Sequence, residues 1–228
     1  MNMVIQKSTL QFLNDIKKNN NRDWFNEQKD KYLEAHQNMI AFADTLLIEM
    51  RKHDNIETAS GKASLYRIYK DTRFSKDKTP YKNNWSGGFR RATKKLRGGY
   101  YFHIQPGNSF VAGGFWGPEP DDLKRIRQDI DLNYKDWKKL LANKTLVNTF
   151  GKLIGEQVST SPKGYSKDHP AIAVLRYKQF IFKHSFTDKE IISPDFFSEV
   201  NKTFKNLRPF FNYMSDVLTT DLNGESIL

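Results

Sequence analysis

The chain has 228 residues, no cysteine and a formal net charge of +11. A chain of this length can bury a sizeable core without staples, and with no Pro/Gly/Ser-rich linker it predicts a single domain over 1–228. Without cysteine there is no disulfide framework, thiolate nucleophile or cysteine-based zinc or iron–sulfur site.

Residues 1–7 lead into an amphipathic stretch rather than a continuously apolar one, so no signal peptide is expected. The most apolar run, 39–50, contains Asp44 and Glu49, so no membrane span and no membrane partner are expected, and the default location is cytoplasmic. Ser8-Thr9-Leu10-Gln11 has capping-box spacing, and Leu10, Leu13 and Ile16 then place a helix at 9–18, ended by Asn19-Asn20-Asn21. Trp24, Gln28, Tyr32, Ala35, Met39, Phe42, Leu46 and Met50 step by three or four and predict one long helix to about Lys52.

Between Ala63 and Phe115 the period changes to two, which predicts strands at 65–70, 84–89, 99–105 and 109–115. The last two should form a hairpin around Pro106-Gly107-Asn108, and Gly113-Gly114 suggests a bulge or a close backbone approach. Helices resume with Leu123, Ile126 and Ile130 on one face, followed by segments at 134–142 and 146–157. A strand is expected at 177–186, a capping box at Thr187-Asp188-Lys189-Glu190, and a capping serine at Ser193-Pro194. The terminal helical run from Phe197 to Leu218 should break at Pro209. The fold class is therefore α+β, with an antiparallel sheet of about four to six strands packed against N-terminal and C-terminal helices.

Charge is not spread evenly. From Lys62 to Arg97 there are twelve Lys and Arg against Asp71 and Asp77, a local excess of +10, so the rest of the chain carries only one unit of the total. The core of this region, Arg67 to Lys82, should begin as a strand and end in a loop whose turns at Ser75, Asp77 and Thr79-Pro80 bring Arg73, Lys76, Lys78 and Lys82 toward a common concavity. Such a cluster suits phosphate or carboxylate, with arginine supplying a bidentate fork. The other reading is a brace, in which Asp71 and Asp77 pair with Arg67, Arg73 and Lys78 and pin the connection to the sheet, leaving Arg90–Arg97 to meet a ligand.

Four stretches resemble the bacterial family known as domain of unknown function 2461. They are Asn20-Asn21-Arg22-Asp23-Trp24-Phe25, Arg67 through Lys82, Gly99-Tyr100-Tyr101-Phe102-His103-Ile104-Gln105-Pro106-Gly107 running to Gly114, and Asp168-His169-Pro170 with Leu175-Arg176. The family signature around Asp71, Arg73-Phe74, Asp77-Lys78 and Tyr81 matches here, with Lys70 where members commonly carry arginine. The resemblance implies no activity, cofactor or substrate.

Two functions fit these residues. The first is an anion-binding module for a phosphorylated metabolite or nucleic acid, its ligand-binding candidates being Arg67, Lys70, Arg73, Lys78, Tyr81, Lys82, His103 and Arg176. Basic residues interleaved with Tyr66, Tyr69, Phe74, Tyr81, Trp85, Phe89, Tyr100 and Tyr101 suit nucleic acid in particular, although strand alternation must turn half of these rings into the core. The second is a cofactor-independent enzyme on a phosphorylated or carboxylated substrate, with Asp71 or His169 moving the proton. HExxH, GxSxG, P-loop and GxGxxG patterns are absent, so neither metal nor cofactor is expected.

Overall fold

The computed structural model describes residues 3–221 and 223–228; Met1 and Asn2, part of the stretch read for a signal peptide, lie outside the described residues. Along the chain come α1 (Lys7–Lys18), α2 (Arg22–Glu27), α3 (Lys29–Met50), α4 (Gly61–Ser64), β1 (Trp85–Arg90), β2 (Gly99–Ile104) and β3 (Ser109–Phe115). Then follow α5 (Pro120–Leu132), α6 (Tyr134–Leu141), α7 (Lys144–Phe150), α8 (Ile172–Leu175), β4 (Phe180–Phe186), α9 (Asp188–Ile191), α10 (Phe196–Lys205) and α11 (Arg208–Thr219). The strands form one antiparallel sheet in the order β1-β2-β3-β4, mid-chain and flanked by N-terminal and C-terminal helices, so the α+β class holds. No described helix is long and apolar enough to cross a membrane.

The chain forms two compact units. One holds the residues up to Arg90 with Tyr101–Val111 and Ser185–Lys202; the other holds Arg91–Tyr100, Ala112–His184 and Thr203–Leu228.

In the first unit, α1 buries Leu10, Phe12, Leu13 and Ile16, the face its spacing predicts. The Ser8–Gln11 capping box does not form, because the helix starts at Lys7 and the Ser8 hydroxyl donates to Gln6 Oε1 instead. The expected long helix is two. Asn21 caps α2 by accepting from the Trp24 N–H at 2.9 Å, and Gln28 leaves helical geometry before α3. On α3 the expected stripe Ala35, Met39, Phe42, Leu46 and Met50 is buried. Phe42 meets Phe102 edge-on at 5.9 Å and stacks on Phe196 at 5.7 Å, where each buried ring contributes roughly 1.5–3 kcal/mol. Gly61 lies against α3 so closely that a Cβ there would overlap the Asp44 nitrogen.

Residues 65–70 do not form the expected strand. Leu65 bridges Gly87 and the Tyr66 N–H donates to Ser86, whereas Tyr69 bridges Tyr81 and the Lys70 N–H donates to Pro80. The run switches partners midway, so no single ladder forms. Strand β2 keeps its alternation, with Tyr100, Phe102 and Ile104 buried and Tyr101 and His103 half-buried. Gly107 takes the positive φ that the hairpin needs, +74°.

In the second unit, α11 buries Phe210, Phe211, Met214 and Leu218, and Tyr100 packs on Phe204 and Phe211 at 5.0 and 4.9 Å. The break expected at Pro209 falls just before it, at Asn206 and Leu207, with the proline in the first turn of α11 where its missing N–H is harmless. α7 is shorter than the predicted 146–157. It stops at Gly151, whose φ is +73°, and Ile154 and Gln157 bridge Ile181 and Tyr177 beside β4. β4 starts at Phe180 rather than at the expected Tyr177, which makes only an isolated bridge.

Candidate functional site

In the 71–79 loop, short polar side chains satisfy the loop's own backbone. Asp71 Oδ1 accepts from the Arg73 N–H at 3.2 Å, Ser75 Oγ from the Asp77 N–H at 3.1 Å, and Asp77 Oδ1 from the Thr79 N–H at 2.9 Å. Its neck is closed by the Tyr69–Tyr81 bridge. Asn20 then clamps that neck from the α1–α2 turn, accepting from the Tyr81 N–H at 3.0 Å and donating to the Tyr81 carbonyl at 2.9 Å. The Tyr81 ring stacks on Phe25 with centroids 4.0 Å apart.

Loop and turn enclose a cleft of about 930 Å³, lined by Asn21, Arg22 and Asn26 on one wall and by Tyr69, Lys70, Thr72 and Lys76–Tyr81 on the other. Four bases, Arg22, Lys70, Lys76 and Lys78, face one acid, Asp77, which leaves the lining three units positive. Asp77 is neutralised by Lys70, 2.7 Å away, and the Lys70 ammonium followed by the Thr79 N–H and hydroxyl hold its carboxyl far below the usual carboxylate range. Lys78 spends one of its three donors on the Thr72 carbonyl at 2.9 Å. Arg22 and Lys76 have no carboxylate within salt-bridge distance among the described residues.

Of the ligand-binding candidates, Lys70, Lys78 and Tyr81 line this cleft. Arg73 does not, because its guanidinium folds back onto Asp71 with bonds of 3.0 and 2.7 Å. Lys82 is likewise turned away, its ammonium donating to the Arg67 carbonyl at 2.9 Å, and burial, then Arg67, holds its pKa below the lysine value. The common concavity expected for Arg73, Lys76, Lys78 and Lys82 thus contains only Lys76 and Lys78. The brace takes a different form too: Asp71 pairs with Arg73 two residues on and Asp77 with Lys70, both inside the loop.

His103 lies on β2 with both ring nitrogens bonded, Nδ1 to the Tyr101 hydroxyl at 3.0 Å and Nε2 to Gln105 Oε1 at 2.9 Å, and its ring stacks on Phe110. In the second unit, His169 Nδ1 accepts from the Ala171 N–H at 3.1 Å and Nε2 meets Asp131 at 2.9 Å, so both nitrogens are engaged. Arg176 also acts as a strut, donating to the carbonyls of Val158 and Ser159 at 2.9 and 3.1 Å. The Arg90–Arg97 group is less free than its charge suggests. Arg90 pairs with Glu57 and Arg97 with Asp122, and Arg91, 2% exposed, donates to the Arg97 carbonyl and Ser215 Oγ.

Sequence reasoning passed over Arg22, Asn21 and Asn26 as lining residues. The signal was present, since Asn20-Asn21-Arg22-Asp23-Trp24-Phe25 carries part of the resemblance, but asparagine runs read first as helix terminators. Among the described residues, no group of three His, Asp or Glu converges as a metal-ligand set.

Comparison with curated proteins and with solved structures finds no match to this chain. A family profile described as a conserved hypothetical protein, DUF2461, matches residues 8–213, which takes in both walls of the cleft, and the chain therefore belongs to that family.

Proposed function

We propose that the protein is a binding module for phosphate-bearing anions, a phosphorylated metabolite or nucleic acid, held in the cleft between the 71–79 loop and the α1–α2 turn. The observation that carries this is the pair Arg22 and Lys76, which have no carboxylate within salt-bridge distance among the described residues and which, with Lys78, make up the three-unit positive excess of the lining. All three are exposed, and where like charges face one cleft phosphate oxygens offset their repulsion with charge-assisted hydrogen bonds. Asn26 and the remaining Lys78 donors add neutral and cationic N–H groups at the same walls.

An enzymatic reading has less support. Asp71 is held in a two-point pair with Arg73, the arginine keeps its carboxyl below the usual range, and it does not line the cleft. His169 has both nitrogens occupied. Asp71, so engaged and outside the lining, is a poor proton acceptor for a ligand in the cleft.

Calorimetric titration with pyrophosphate at about 50 mM salt tests the proposal. Binding by the wild type should weaken about tenfold or more in Arg22→Ala and again in Lys76→Ala, the scale of one charged hydrogen bond each. Absence of binding by the wild type, or wild-type affinity in both variants, overturns it.

A further inference from the structure

Resting on the phosphate reading of the cleft, we propose that its ligand is single-stranded nucleic acid, with backbone phosphates at the cleft cations and bases stacked on rings that the same segment leaves in water. Phe74 is 97% exposed, Tyr66 53% and Tyr69 46%. Scattered apolar groups on a surface need no explanation. Here, however, three rings fall within nine residues and alternate with Arg67, Lys70, Arg73, Lys76 and Lys78.

Their placement argues for an extended ligand. Tyr69 lines the cleft, but Tyr66 and Phe74 lie outside its lining, so a ligand that uses all three is longer than the cleft. Phe74 sits in the loop shaped by the Asp71, Ser75 and Asp77 turns, with the Arg73 guanidinium 6.0 Å from its ring centroid. Beyond Tyr66 the aromatic surface continues to Tyr101, whose ring lies 6.3 Å away at 30°. An exposed ring beside a cation is the combination that single-strand binders use, because every base offers a π-face and every linkage a phosphate. Single strands fit better than duplex, since exposed rings reach base faces only where bases are unstacked.

Fluorescence anisotropy with labelled oligo-U and oligo-dT of about twelve nucleotides tests this, beside a duplex of equal length and the separate pyrophosphate titration. Phe74 is 97% exposed, so Phe74→Ala should leave the fold intact, which circular dichroism checks. Phe74→Ala and Tyr66→Ala should each weaken oligomer binding about tenfold and leave pyrophosphate affinity unchanged, while Phe74→Trp retains it. Wild-type affinity in both alanine variants overturns the proposal, as does duplex binding as tight as single strand. Pyrophosphate binding without oligomer binding overturns it too and leaves the cleft reading standing. Oligomer binding that depends on the rings, in a chain that ignores pyrophosphate, supports the stacking proposal and removes the cleft reading.

Discussion

His36 shows how a single side chain acquires a property that its place in the sequence does not announce. It lies half-buried on α3, stacked on Tyr32 at 5.4 Å and on Trp85 at 5.5 Å with the Trp85 plane only 4° away. Burial, then Lys62, then Lys29, holds its pKa below the ordinary 6.5. A base with a depressed folded pKa binds its proton later in the folded state than in the unfolded one. Stability is therefore full above pH 6.5 and declines as pH falls through that value, until the folded chain also takes the proton. The urea midpoint should be lower at about pH 5 than at about pH 7.5, and His36→Gln should flatten part of that difference. An unchanged pH slope in the variant would show that the stacked histidine contributes nothing to it. Asp71 and Asp77, held below the carboxylate range by Arg73 and Lys70, act in the same direction but only in more acid solution. Sequence alone hid this, because position 36 lies off the apolar stripe of its helix and its partner Trp85 is distant in the chain.

At the scale of elements, local signals were legible and changes of partner were not. The apolar stripe of α3, the Thr187 capping box, the 106–108 turn and the helix break before Pro209 all appear where spacing and turn chemistry place them. Residues 65–70 and 154–157 were misread for one reason: each pairs with an extended neighbour for only a residue or two, which periodicity within the segment does not encode. Gly113-Gly114 was read as a close approach, and the geometry gives the cause. Gly114 has φ +143°, and a Cβ there would overlap the Phe180 carbonyl oxygen and lie 3.0 Å from the Ile181 Cα, which is backbone that cannot step aside. Gly107 has φ +74°, and a Cβ added there would meet nothing within 4 Å. Gly107→Ala should thus cost about 1 kcal/mol, the positive-φ penalty alone, whereas Gly114→Ala should cost about 3 kcal/mol through penalty and overlap together. Urea midpoints of the two variants measure the gap, and equal losses would mean that β4 yields to the new methyl.

Over the whole molecule, the charge map located the candidate site but not its members. The excess of +10 between Lys62 and Arg97 includes the loop that lines the cleft, yet Arg73, Arg90 and Arg97 close on carboxylates and Arg91 is buried, while Arg22 enters from a helix turn outside the basic segment. Counting charge along a chain cannot tell which cations find acids in space. The count after folding makes a sharper prediction. Lys70 is offset by Asp77, so Arg22, Lys76 and Lys78 are the cleft cations that can displace counterions from a bound strand. Each phosphate neutralised on a single strand contributes a slope of about −0.7 in log affinity against log salt, so three give about −2. Oligonucleotide affinity should then fall roughly twenty-fold between about 50 and 200 mM salt, and in the Arg22→Ala, Lys76→Ala double variant only roughly threefold. Anisotropy titrations across that range measure both slopes. A wild-type slope far steeper than −2 would mean that cations outside the cleft carry the strand, and a double variant as salt-sensitive as wild type would assign the contacts to the exposed Lys94 and Lys95 instead.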